Sequence, residues 1–212
     1  FLSMGNSPAV LIHGLMNTRE VPEMRKIRDR AEQMLSYYLE NEVSMEFVSS
    51  VMTEVNDVII QIALENAKRE LKDEFPRMEH VKSVFLSLGS EGRSEQLLRT
   101  DQDNALIYEN VTEELAEEAK TYFNLLGAKI VETLLACGFA PCPGKIMANN
   151  PEWVQPLSVW KGYFSNWILR PTQEALLRVS IFFDYRAVGP GKSLAEELTT
   201  HIYEEIRKKK IF

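Results

Sequence analysis

The sequence predicts an α/β fold in which a small mixed sheet is flanked by helices and preceded by a long helical hairpin. Apolar residues recur at spacings of three and four through the first third of the chain, the period of an amphipathic helix. From His80 the pattern switches to short apolar runs closed by glycine, as buried strands require. The 212 residues, 45% hydrophobic and 26% charged with 10 Gly and 9 Pro, can bury a sizeable core and exclude collagen-like, low-complexity and largely disordered chains.

Residues 20–41 place Met24, Ile27, Ala31, Met34, Leu35 and Tyr38 on one helical stripe. Asn41-Glu42-Val43-Ser44 breaks that run, with Ser44 as the N-cap of a second helix from Met45 to Glu74. Phe75-Pro76 stops it, because the residue before a proline is pushed out of helical geometry. The two helices form a hairpin suited to packing on the next domain or to a homodimer seam. Val81–Leu88 reads as a buried strand ending in Gly89-Ser90-Glu91-Gly92-Arg93, Ser94–Leu98 as a helical turn or two, and Asn104–Tyr108 as a neighbouring strand. A helix from Glu113 to Ala136 follows Thr112 as N-cap, with Leu115, Ala119, Tyr122, Phe123, Leu126, Ile130, Leu134 and Leu135 inward and Gly138 as its terminating residue. After Pro141-Cys142-Pro143-Gly144 and an aromatic segment with three tryptophans, the alternation of Val179, Ile181 and Phe183 against polar neighbours predicts a third strand over Val179–Val188. Gly189-Pro190-Gly191 closes it, and a last helix runs from Leu194 to Lys209.

A net charge of −7 argues against binding nucleic acid through a broad basic surface but leaves room for a local phosphate site. Arg207-Lys208-Lys209-Lys210 sits at a helix end, where cations suit the dipole. Cys137 and Cys142 supply neither a disulfide framework nor a four-thiolate zinc site, and as free thiols they suit a reducing, cytoplasmic setting. Val58–Leu64, among the longest apolar stretches, falls short of the roughly 20 residues that cross a bilayer, so no membrane association is expected. The start, Phe1-Leu2-Ser3-Met4, has neither an initiator methionine nor the n- and h-regions of a secretory signal, so the chain reads as a piece of a longer protein.

The chemistry lies between Leu88 and Asn104. Alternate strand residues share a face, so Asp101 and Asp103 put two carboxylates side by side. Two such groups repel unless a cation sits between them, and hard oxygen donors suit Mg²⁺ or Mn²⁺ bound together with substrate phosphates. Just upstream, Gly89-Ser90 enters a helical turn whose backbone N–H groups and small hydroxyl can cradle a phosphate. Alone, the first pattern also fits a solvated loop or an N-cap, and the second a simple turn.

Together, the order strand, Gly89-Ser90, ten residues, Asp101-x-Asp103, strand resembles the signature of the DNA polymerase β-like nucleotidyltransferases, and Gly89–Glu95 with Thr100–Asp103 resembles the active-site strand of the PII-protein uridylyltransferases. A closer resemblance is to the nucleotidyltransferase family found after CBS modules or cyclic-nucleotide-binding domains in bacterial signalling proteins. Its later blocks are similar to Phe139–Ala148, Asn150-Pro151-Glu152-Trp153 and Ile181–Arg186, and residues 1–17 resemble the tail leaving a CBS module.

This resemblance implies a nucleotidyltransferase-type sheet and transfer of a nucleoside monophosphate from a nucleoside triphosphate to a protein or small-molecule hydroxyl, with Mg²⁺ or Mn²⁺ as cofactor. It implies a third metal-binding carboxylate on a later strand, for which Asp184 is the candidate beside Asp101 and Asp103; an aspartate satisfied by Arg186 or a backbone N–H fits the same position. Arg93 matches an arginine that would hold phosphate or the leaving pyrophosphate, although an ion pair with Glu95 or Asp101 would also occupy it. Lys145 is a second candidate for the triphosphate charge. The tryptophans fit either base stacking or the core, and His13, His80 and His201 lie in no ligand spacing. A catalytically silent regulatory nucleotide-binding module is the alternative. The implied organisation is a hairpin arm over residues 1–78 behind an upstream sensory module, and a nucleotidyltransferase-like domain over 79–212 cut short at its C-terminus.

Overall fold

The first third of the chain folds as three helices, not two, in a computed structural model that describes residues 7–93 and 101–210. Helix α1 (Pro8–Met16) starts at Ser7, whose side chain accepts from the Val10 amide, and buries Leu11 and Leu15. It packs against both helices of the expected hairpin, α2 (Val21–Glu40) and α3 (Met45–Leu71). Five of the six residues assigned to the α2 stripe are buried, and Tyr38 packs partly buried against the core. Ser44 caps α3 as its sequence position demands, accepting from the Phe47 amide. Helix α3 carries an 18-residue window of mean hydropathy 1.4, long and apolar enough by composition to cross a bilayer, in contrast to the short runs read from sequence. Here that apolar surface is spent inside the protein, on α1, α2 and a later helix.

The sheet follows. β1 (Ser83–Leu88) runs antiparallel to β3 (Asn104–Tyr108) on one side and β6 (Tyr185–Val188) on the other, and β5 (Val154–Pro156) pairs parallel to β3, giving the order β5-β3-β1-β6. A separate two-residue pair joins β2 (Asp101–Gln102) in parallel to β4 (Ala140–Pro141). This mixed sheet flanked by helices is the expected α/β class. Every residue of β1 and β3 is buried, so both faces are covered. Helix α5 (Ala116–Ala136) packs with α3, and α6 (Leu157–Leu169) packs with α8 (Lys192–Lys210); each pair reaches the sheet. Phe123 of α5 stacks on Tyr108 of β3 at 4.3 Å, and the buried Trp160 of α6 donates to the Leu106 carbonyl.

Several expectations change in detail. Thr112 precedes a 3₁₀ turn (Glu113–Leu115) and makes no side-chain cap, and Leu135 points outward at 38% exposure. Residues 173–182 are helix α7 (Gln173–Phe182), so the predicted strand over Val179–Val188 shrinks to β6. The Thr172 side chain caps α7 through the Ala175 amide, and Gln173 to Arg178 are ordinary helix formers. The expected turn at Ser94–Leu98 lies outside the described residues.

Two polar links, one buried and one half-buried, tie the helical segment to the rest. Arg28, 4% exposed, donates to Glu32 at 2.6 Å and to the Gly138 carbonyl at 3.1 Å, with its guanidinium 4.3 Å from the Phe139 ring centroid. Arg186 of β6 grips Asp57 of α3 through two hydrogen bonds of 2.6 and 2.9 Å. Asp57→Ala is expected to lower stability by about 1–2 kcal/mol, since charge-assisted pairs that keep some water contact are worth that much. The double variant Asp57→Ala/Arg186→Ala should cost less than the two singles summed. Additive losses in urea melts would show that the two side chains do not interact energetically.

Candidate functional site

β1 is one of the two inner strands, and its C-terminal end gathers residues singled out in the sequence. The chain leaves Leu88 through Gly89, whose φ of +57° favours glycine, into the single turn α4 (Gly89–Gly92). The Leu88 amide donates to the Asp103 carbonyl at 2.9 Å, fixing Asp103 beside the strand end. On the opposite side, Leu88 pairs with Tyr185, which sets Asp184 next to Gly89. Asp184 occupies a bend just before β6 and not a strand position, because α7 runs to Phe182.

The two glycines of α4 explain how the turn fits between these acids. A Cβ at Gly89 would stand 3.3 Å from an Asp103 carboxylate oxygen, so that carboxylate leans over the turn. A Cβ at Gly92 would stand 2.1 Å from the Asp184 carbonyl oxygen and 2.9 Å from that of Ser87. No side chain fits there, and the turn packs backbone against backbone. Ser90 is half-buried on this turn, and the Arg93 amide closes it onto the Gly89 carbonyl.

Asp101 and Asp103 alternate with Gln102 and Asn104. The acids face outward, Asp101 exposed and Asp103 half-buried, while Gln102 and Asn104 are 0% and 1% exposed. The buried amides are put to use: Asn104 donates to Gln102 at 2.8 Å and accepts from the Ala148 amide at 2.7 Å, and the Asn104 amide donates to the Ile146 carbonyl. These bonds hold the 145–148 loop against the acidic segment. They were not foreseen, although two polar residues at inward positions of a strand are themselves a signal that a partner loop must satisfy them.

Burial raises the Asp103 carboxyl above its ordinary range, a hydrogen bond from the Cys142 thiol partly offsets this, and the charge of Asp101 raises it further. Burial and the same carboxylate push the Cys142 thiol up, so it stays a protonated donor. Cys142, read from the sequence only as a free thiol, therefore supports Asp103. Cys137 is inert, its thiol pushed up to about 11 by burial.

Arg93 pairs with Asp184 at 2.7 Å, both side chains 42% exposed, so Asp184 is held from the end of the α4 turn and not by Arg186. Lys145 is exposed on the loop that carries Cys142, in a left-handed conformation with φ 55°. The structure thus sets Gly89, Ser90, Arg93 and Asp184 around α4, Asp103 beside it with Asp101 as its electrostatic neighbour, and Lys145 three residues from Cys142. Among the described residues no group of three or more His, Cys, Asp or Glu stands ready to hold a metal ion. Trp153 and Trp160 are core residues, 2% and 0% exposed.

A family profile described as "Putative nucleotidyltransferase DUF294" matches residues 29–174, about two thirds of the chain. The chain belongs to this family. No curated protein matches it in sequence. The DUF294 match takes in Gly89, Ser90, Arg93, Asp101, Asp103 and Lys145, whereas Asp184 lies beyond it. It supports nucleotidyltransferase function in general terms.

Two outcomes follow for this DUF294 chain. Gly92→Ala should destabilise it by roughly 1–3 kcal/mol, because the added methyl must displace the Asp184 backbone; an unchanged melting temperature would show that the turn relaxes freely. Asp103→Asn should leave the melting temperature of the metal-free protein equal or higher at neutral pH. A carboxyl whose folded pKa is raised weakens the fold once pH exceeds both its values, and the amide removes that charge. A marked loss of stability would mean that Asp103 is a structural group.

Proposed function

We propose that this DUF294 chain is a metal-dependent nucleotidyltransferase that moves a nucleoside monophosphate from a nucleoside triphosphate to a protein or small-molecule hydroxyl. The observation that carries this reading is the glycine turn wedged between Asp103 and the backbone of Asp184, which brings two acidic elements together at the end of β1. The donor set fits a hard divalent cation: carboxylate oxygens alone, two of them on residues whose mutual repulsion a cation relieves.

In this reading Asp101, Asp103 and Asp184 would hold Mg²⁺ or Mn²⁺. Such an ion, when bound, neutralises phosphate charge and polarises the reacting phosphorus. Gly89 and Ser90 offer backbone N–H groups and a hydroxyl to the phosphates, and Arg93 and Lys145 add positive charge for the leaving pyrophosphate. The acceptor hydroxyl attacks the α-phosphorus in line. A new O–P bond forms as the bond to pyrophosphate breaks, and the hydroxyl proton passes to a carboxylate, for which Asp184 is the candidate.

A signalling role behind an upstream sensory module, with a PII-like protein as one acceptor class, rests on the motif resemblance at Gly89–Glu95 and Thr100–Asp103. The same resemblance supports an arm over 1–78 and a transferase domain over 79–212. The buried, free Cys137 and Cys142 support a cytoplasmic setting.

One observation favours a second reading, a regulatory nucleotide-binding module without turnover: Asp184 is engaged by Arg93. Pyrophosphate release separates the two. Each nucleoside triphosphate is supplied with Mg²⁺ and candidate acceptors to the full-length protein. Transfer predicts release that falls about 100-fold or more in Asp101→Asn and Asp103→Asn, with folding intact. Mg²⁺-dependent nucleotide binding with no release under any acceptor would favour the regulatory module.

A further inference from the structure

A second cleft opens away from the acidic segment, where the C-terminal end of α3, the 3₁₀ turn Pro76–Met78 and α5 meet. Its volume is about 310 Å³, and Phe75, Met78 and Tyr122 give it an apolar wall, the two rings lying 5.6 Å apart. The charge in it is positive. Lys68, Arg69 and Lys72 line it with Glu79 as the one acid, a local excess in a chain of net charge −7.

The cations are not equally engaged. Lys72 is paired with Glu79 at 3.3 Å, and Arg69 donates to Asn66. Lys68 is half-buried and, among the described residues, makes no salt bridge or hydrogen bond; only burial acts on its ammonium, lowering its pKa. An ammonium partly withdrawn from water without a partner is less well solvated, and an anion beside it restores the balance. Tyr122 supplies the second feature. It is 4% exposed, lines the cleft, and its hydroxyl has no hydrogen-bond partner among the described residues. Burial and the charge of Glu79 keep the phenol protonated, so a residue of the cleft wall carries an unused donor. Glu118, one turn earlier on α5, is already paired with Arg77.

We propose that this cleft binds a small oxyanion bearing a short or planar apolar body, with Lys68 and Tyr122 holding the oxyanion and Phe75 and Met78 covering the body. A phosphate ester and a carboxylic acid share this chemistry. The site is independent of the acidic segment and stands whether or not the chain transfers nucleotides.

Calorimetric titration of the full chain with phenyl phosphate, benzoate and inorganic phosphate tests it, on wild type, Lys68→Met, Tyr122→Phe and Asp103→Asn, each first checked by thermal melting. Saturable binding of phenyl phosphate or benzoate is expected, tighter than inorganic phosphate. It should weaken about tenfold or more in Lys68→Met and severalfold in Tyr122→Phe, and stay unchanged in Asp103→Asn. The tighter of the two organic probes names the head group. If Lys68→Met does not fold, the Tyr122→Phe loss decides alone. Absence of saturable binding for all three probes overturns the site, as does binding that the cleft variants leave unchanged or that Asp103→Asn abolishes.

Discussion

The candidate site depends on backbone packed against backbone. At Gly92 the α4 turn approaches the Asp184 carbonyl so closely that even one methyl group would have to move the bend before β6. That approach sets the distance between the end of β1 and the bend before β6, and hence where Asp184 can stand. Gly89 meets a second demand at the other end of the turn, a left-handed φ under the Asp103 carboxylate. A turn held from both sides in this way has little freedom to shift, so the ends of β1 and β6 are locked relative to each other.

Keeping charged acids outward at the end of a fully buried strand requires something inward that tolerates their neighbours. Asn104 does this by donating to the Gln102 side-chain oxygen and accepting from the Ala148 amide, while the buried Gln102 side-chain nitrogen is left without a partner among the described residues. The cost of crowding falls on Asp103, which is half-buried beside Asp101 and supported by the Cys142 thiol. Since Cys142 and Lys145 share one short loop, the bonds that pin the loop to Asn104 also bring a cation to the acidic side of the molecule.

Much of this was legible in the sequence because it is local. Helical spacing, the Ser44 cap, the switch at His80 and the glycine after Leu88 each report on a few neighbouring residues, and local physics decides them. What was not legible is long-range or ambiguous by period. Helix α1 is short, and what holds it is its packing on α2 and α3. Residues 179–183 alternate like a strand, yet Ala175 and Phe182 bury as a helix does, and the Thr172 cap lies too far upstream to be read with them. The sequence reading offered only near neighbours, Glu95 or Asp101 for Arg93 and Arg186 for Asp184, because the actual partners are distant: Arg93 and Asp184 are separated by 91 positions and Arg186 and Asp57 by 129.

The two long-range pairs differ in a way that bears on how the site would work. The Arg186–Asp57 pair is about a quarter exposed and doubly bonded, a fixed link between α3 and the sheet. The Arg93–Asp184 pair is 42% exposed on both sides, and ion pairs so open to water contribute little to stability. It is therefore a cheap contact to break. A triphosphate carries several negative charges against the single charge of Asp184, so in the proposed reaction it would draw Arg93 to itself and release the carboxylate at the same step. On this argument the ion pair is a resting arrangement that keeps two opposite charges compensated until ligand separates them, and its presence is compatible with Asp184 acting in transfer.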